Sequence, residues 1–223
     1  VKMIVDERIV TFINSLETRN SEILETIERE ALASDIPIIK KETQSLLKVL
    51  LMIQKPMRIL EVGTAVGFSA LLMSEYVPEE CAITTIENYE KRIPIARQNF
   101  VRAGKEKKIT LLEGDAMDVL KTLEGPYDFI FMDAAKGQYI HYLPEILRLL
   151  AKGGILVSAN VMQDGDVIES RFAVERRDRT IHARMREYLY ELKHNDALVT
   201  SIIPLGDGVA LSVKKEVGTD IAQ

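Results

Sequence analysis

Five short apolar runs, alternating with segments of helical spacing, fill residues 57–159, and this alternation constrains the chain more than any other feature. The runs are MRILEV (57–62), AITTIE (82–87), KITLLEG (108–114), YDFIFMD (127–133) and GILVSA (154–159). Segments 67–77, 90–103, 116–123 and 138–151 read as helices between them. Runs this apolar are buried on both faces, which calls for a parallel sheet covered by helices, and right-handed crossovers make that sheet doubly wound. A helix over 180–194 leads to ALVTSIIPLGDGVALSVKK, two runs joined by Gly206-Asp207-Gly208 that read as an antiparallel hairpin. The expected fold is α/β: a doubly wound, seven-stranded sheet, mostly parallel, with an antiparallel C-terminal hairpin strand.

Upstream, Ile4, Ile9, Phe12, Ile13 and Leu16, then Ile23, Leu24, Ile27 and Leu32, recur at helical spacing, broken at Asn20-Ser21. Pro37 stops the pattern, and Leu46, Leu47, Leu50 and Leu51 mark a third helix over 41–54. The expectation is one domain over 1–223, with a helical extension (4–54) on a core (57–214). The apolar face of the extension can pack on its own sheet or on a second copy. One cysteine, Cys81, excludes an internal disulfide; with VKMIVDERIVTF lacking an apolar leader and no run long enough to span a bilayer, a cytoplasmic protein without membrane contact is expected. The net charge of −5 leaves any nucleic-acid contact to a local patch.

The strand ends carry the chemistry. In an open α/β sheet, ligands bind beyond the carboxyl ends of the strands. The first run ends in LEVGTAVGFSA, where Gly63 and Gly67 let backbone N–H groups approach a ligand at a helix N-terminus. The second ends in Glu87, a carboxylate that can accept both ribose hydroxyls, and the third in Gly114-Asp115-Ala116, where Asp115 or a neighbouring N–H can meet an adenine edge. Taken singly, each is a tight turn or a solvated strand end. Together they indicate an adenosyl cofactor, and the single anion-binding turn favours S-adenosyl-L-methionine over a dinucleotide. The fourth run ends in FMDAAKGQY and the fifth in Ala159-Asn160, so Asp133 and Asn160 can converge on one point, with Lys136 nearby as a candidate general base. Oxygen ligands of this kind suit Mg²⁺ or another divalent cation. Without the cofactor signal, Asp133 would read as a helix cap and Lys136 as a surface lysine.

LEVGTAVGFSA, TIE, GDA, FMDAAKGQY, SANVMQDG and IPLGDGVALSVKK, in this order and spacing, resemble the cation-dependent class I O-methyltransferases related to catechol and caffeoyl-CoA methyltransferases, whose fold is Rossmann-like. Within that group the chain is most similar to the bacterial tRNA 5-hydroxyuridine methyltransferases. The resemblance implies that Gly63, Thr64, Gly67 and Ser69 hold the methionine part of S-adenosylmethionine, Glu87 the ribose and Asp115-Ala116 the adenine, with Asp133 beside the cofactor. Asp133 and Asn160 become metal ligands and Lys136 the general base. It also implies a homodimer, and a tRNA anticodon loop as substrate, with wobble 5-hydroxyuridine converted to 5-methoxyuridine. Those relatives carry Asp-Asn where this chain has Ala159-Asn160, so one expected metal carboxylate is absent and Mg²⁺ binding is weakened. Three readings compete: a deliberate Asp→Ala replacement, which the intact surroundings favour; substitution by Asp164 or Asp166; or loss of metal dependence.

A catechol and a 5-hydroxyuridine both offer two adjacent oxygens, so the periphery has to discriminate. Arg171, Arg176, Arg177, Arg179, Arg184 and Arg186 cluster after the fifth run and could grip an RNA backbone, with Phe172 or His182 stacking on a base. Glu169, Glu175, Asp178 and Glu187 lie among them, so a salt-bridged helix face is the alternative. The alternatives to the RNA-modifying enzyme are a small-molecule catechol or caffeoyl-CoA-type O-methyltransferase and a weakly catalytic cofactor- and RNA-binding module.

Overall fold

The computed structural model describes residues 4–216. Three helices, α1 (Glu7–Ser15), α2 (Glu22–Ala33) and α3 (Lys41–Gln54), precede β1 (Arg58–Val62), α4 (Phe68–Glu75), β2 (Ala82–Glu87), α5 (Ile93–Arg102) and β3 (Ile109–Glu113). Then come α6 (Ala116–Thr122), β4 (Tyr127–Met132), α7 (Tyr139–Leu149), β5 (Leu150–Ala159), α8 (Arg179–His194), β6 (Leu198–Ile203) and β7 (Val209–Lys214). The seven strands are ordered β3-β2-β1-β4-β5-β7-β6. β1 to β5 pair in parallel, and β7 runs antiparallel to both β5 and β6. The order reverses between β1 and β4, which opens a crevice at their carboxyl ends.

Strand alternation divides the core between the two faces. Ile59, Phe129, Phe131, Ile155 and Val157 pack with α2 to α5, while Leu60, Val62, Ile130, Met132 and Leu156 pack with α6 to α8. α2 adds Leu24, Ile27 and Ala31 to the first layer, so this part of the extension packs on its own sheet. α1 buries no residue fully and leaves Phe12 64% and Leu16 68% exposed. The break between them is not a serine side-chain cap. The Ser21 hydroxyl donates to Glu75, and Asn20 is tied to α3 by Gln44 (2.9 Å) and Lys48 (2.6 Å).

β5 begins at Leu150, before the Gly153-Gly154 pair that reads as a turn in sequence. Leu150 pairs with Tyr127 but Ile155 with Phe129, so the glycines lie in a bulge rather than a turn. Two 3-10 turns, Lys136–Gln138 and Gln163–Ile168, have no helical periodicity to announce them. Among the described residues no helix is long and apolar enough to cross a membrane.

Candidate active site

A cleft of about 380 Å³ opens at the switch point, within the range of small-molecule sites. Its floor is the turn after β1. Gly63 has φ 100° and Gly67, the N-cap of α4, has φ 83°. A Cβ on Gly63 would collide with the Asp133 carbonyl oxygen, and one on Gly67 would sit 2.5 Å from the Phe100 ring. Both positions therefore require glycine, for conformation and for space. The turn is held by the Gly63 and Thr64 N–H groups, which donate to Ile86 of β2 at 3.1 and 3.2 Å.

Thr64 and Ser69 line the cleft, but their hydroxyls are engaged elsewhere. Ser69 donates to Glu61, and Thr64 bonds Thr85 (2.5 Å), which in turn donates to Glu61 (2.5 Å). Their hydroxyl protons are committed to this web, so toward the methionine part Thr64 and Ser69 can offer backbone groups and hydroxyl lone pairs. Glu61 is fully buried beneath the turn, and burial pushes its carboxyl up to about 8 against the lowering effect of its two hydroxyl donors. A carboxyl raised in the folded state binds a proton that the unfolded chain releases, so stability should fall as pH rises from about 4.5 towards 8. The slope is at most about 1.4 kcal/mol per pH unit. In Glu61→Gln this component of the slope should vanish, as urea melts between pH 5 and pH 8 would register.

Glu87 closes the next side. In this structure its carboxylate accepts from the backbone N–H groups of Ala65 (2.7 Å), Asn88 (3.0 Å) and Tyr89 (2.9 Å). It therefore stands at the cleft wall, joined directly to the glycine turn. The Asp115 side chain caps α6 by accepting from Met117 N–H (2.8 Å), and Gly114 and Ala116 line the cleft, which leaves the adenine edge to a neighbouring N–H, the other option the sequence offers. Arg92, Tyr89, Tyr142 and Ile38 also line it and carry no sequence signal of their own. A glycine cradle, a carboxylate and a small-residue wall at three adjacent strand ends fit the adenosyl cofactor expected from the sequence.

At the other end, Asp133 and Asn160 do converge. Asn160, in a left-handed conformation (φ 57°), donates its amide N–H to Asp133 at 2.7 Å. Burial raises the Asp133 carboxyl above its ordinary range, Lys136 and the Asn160 amide pull it back, and Asp207 pushes it further up. Asp207, in the β6–β7 turn, accepts from Asp164 N–H (2.6 Å), and the sequence marks it only as part of a hairpin. Lys136 lines the cleft half-buried; its carbonyl accepts from the Tyr139 N–H, while its amine makes no hydrogen bond among the described residues.

Tyr139 aligns these strand ends. Its buried hydroxyl lies 3.2 Å from the Met132 carbonyl and 3.1 Å from that of Ala159, and accepts from Ala134 N–H at 3.3 Å. Met132 and Ala159 immediately precede Asp133 and Asn160, so one hydroxyl sets the spacing of the pair. Tyr139→Phe removes the hydroxyl's bonds to these backbone groups and should cost about 1–3 kcal/mol. Urea denaturation would measure that loss, and the variant should lose more in kcat than in KM.

The donors present do not fit a protein-held divalent cation. Asp133 offers one carboxylate, Asn160 turns its amide N–H towards that carboxylate and has only its carbonyl oxygen left to offer, and Ala159, 1% exposed, contributes a methyl to the apolar core. Asp164 and Asp166 do not repair the set: among the described residues no group of three or more His, Cys, Asp or Glu is placed to hold a metal ion.

The arginine cluster is largely satisfied from within. Arg177 pairs with Glu175 and Asp178, while Arg179, Arg184 and Arg186 donate to the carbonyls of Val174, Gly137 and Val167. Arg171 and Arg176 are exposed, as is Phe172, the chain neighbour of Arg171, at 86%. His182 is buried with Nε2 against the Glu169 carbonyl (3.2 Å), so it cannot stack on a base as the sequence reading allowed.

Comparison with known proteins agrees with this geometry. A catechol O-methyltransferase of Niastella koreensis is 35% identical over 127 residues, 55% of this chain and 58% of that one, so the match spans less than two thirds of that relative. Caffeoyl-CoA O-methyltransferase 2 of Populus trichocarpa is 32% identical over 181 residues, 74% of this chain and 70% of that one. A Podospora anserina methyltransferase with S-adenosylhomocysteine bound superposes with a TM-score of 0.83 at 27% identity, covering 94% of this chain and 95% of that one. The O-methyltransferase family model matches residues 14–215, and the chain belongs to that family.

Proposed function

We propose that the chain transfers a methyl group from S-adenosyl-L-methionine to a hydroxyl oxygen of a small aromatic acceptor of the catechol or caffeoyl type. The observation that carries this reading is the single cleft running from the Gly63–Gly67 turn and Glu87 to Asp133, Lys136 and Asn160. The cofactor, when bound, supplies a methyl on a sulfonium sulfur, which passes to an oxygen nucleophile while the C–S bonding pair returns to sulfur. Gly63, Gly67 and the backbone of Thr64 and Ser69 would hold its amino-acid part, Glu87 its ribose, and Gly114 and Ala116 its base. The Lys136 amine takes the acceptor proton at Nζ, and positioning supplies much of the acceleration. The relatives named catechol and caffeoyl-CoA O-methyltransferases support this acceptor class.

A second reading, methylation of 5-hydroxyuridine in a tRNA anticodon loop, draws on the exposed Arg171, Phe172 and Arg176. A homodimer belongs to the same proposal, because the apolar face of α1 is left exposed. Labelled cofactor, offered with either a catechol or hypomodified bacterial tRNA, separates the acceptors. Label in the catechol is expected. Label only in tRNA would reverse the order of the two readings, and tRNA binding without transfer to either would leave only a binding module.

A further inference from the structure

We propose that this site works without a divalent cation, and that its acceptor needs one acidic aromatic hydroxyl rather than two adjacent oxygens. The inference rests on the methyl-transfer reading above and goes beyond it. A cation that chelates an acceptor needs several oxygen lone pairs aimed at one centre. Here the pair that could begin such a shell is closed on itself, since the Asn160 amide N–H donates to the Asp133 carboxylate at 2.7 Å. The preceding position in the chain, Ala159, is buried in the apolar cluster beside Val209, its partner in the strand register, and its side chain offers no oxygen.

The negative charge at this end of the cleft is met from the chain itself. The Lys136 ammonium acts on both Asp133 and Asp207, and Lys40 acts on Asp207 as well. Lys136 is the cationic group that lines the cleft on this side, and its amine makes no hydrogen bond among the described residues. Lys136 has to release its proton to solvent before the reaction; its neutral amine then takes the acceptor proton and faces the phenolate oxygen as an ammonium, so the base becomes the counter-ion. A second acceptor oxygen then has no cation to bind.

Manganese titration of the full chain with S-adenosylhomocysteine, followed by water-proton relaxation, tests the metal claim without needing turnover. No binding tighter than about 1 mM is expected, a value at the weak end of protein cation sites. Binding tighter than that overturns the inference. In Ala159→Asp, manganese affinity should rise by about tenfold or more, as restoring a carboxylate predicts.

Methyl transfer to a catechol and to the phenol lacking its second hydroxyl is then compared in EDTA and in Mg²⁺. The two kcat/KM values should agree within about tenfold and neither should depend on the cation. A site built to hold both oxygens would reject the phenol by roughly 10⁴-fold. That rejection, or a rate lost in EDTA and restored by Mg²⁺, overturns the proposal. Absence of transfer to every hydroxyl with S-adenosylhomocysteine still bound would instead overturn the methyl-transfer reading, and the manganese result would still decide the metal.

Discussion

Replacing Lys136 with methionine should lower kcat by about 10²–10⁴, the usual worth of a positioned general base, while S-adenosylhomocysteine affinity and the urea midpoint hardly change. The side chain starts the 3-10 turn after β4, lines the cleft and makes no hydrogen bond among the described residues, so removing its amine disturbs little in the fold. Its charge does act on Asp133, whose carboxyl should rise further when that charge is gone. Arginine discriminates between roles, because a guanidinium keeps the positive charge but does not give up its proton in proteins. Lys136→Arg should therefore be almost as slow as Lys136→Met. Recovery of most of the rate in the arginine variant would mean that the residue acts only as a counter-charge.

Gly63→Ala should remove cofactor binding and destabilise the fold together. The φ of 100° is a region that residues with a side chain occupy at a cost of about 1–3 kcal/mol. The added Cβ also meets backbone, the Asp133 carbonyl and the Ala134 Cα at 3.3 Å, which cannot rotate aside. Overpacking of that kind adds a further 1–3 kcal/mol, approximately. Relief would have to push β4's end away from β1, moving Asp133 and widening the turn. Isothermal titration with S-adenosylhomocysteine should show an affinity loss of about 100-fold or more, equal to roughly 3 kcal/mol. Gly104→Ala is the matched control: its φ of 64° is also positive, but nothing lies within 4 Å of the added Cβ. That variant should lose about 1–2 kcal/mol of stability and bind the ligand normally.

What the sequence made legible follows from which physics is local. β2 spans 82–87 as the apolar run suggests, and α8 begins one residue before the expected helix, because burial on both faces and helical spacing are written into neighbouring residues. The convergence of Asp133 and Asn160 was also readable, since the topology alone brings adjacent strand ends together. Partner choice was not. Ser69 and Thr64 have the residue types of a ligand-binding turn, yet a buried carboxyl beneath them, Glu61, takes up their hydroxyl web. Asp115 sits at the right strand end but serves the nearer need of an unsatisfied helix N-terminus. Arg184 and Arg186 read as a basic patch in sequence, whereas in three dimensions carbonyls from Gly137 and Val167 lie within their reach. The Tyr139 clamp joins residues 7 and 20 positions apart, a distance at which no periodicity speaks.

A crystal structure of the full chain with S-adenosylhomocysteine and an unreactive phenolic acceptor tests the account most directly. The ribose hydroxyls should lie on the Glu87 carboxylate, with the amino-acid part on the Gly63–Gly67 turn and the acceptor oxygen in hydrogen-bond reach of Lys136 Nζ. A cofactor lodged away from that turn, or an acceptor oxygen out of reach of Lys136, would contradict it.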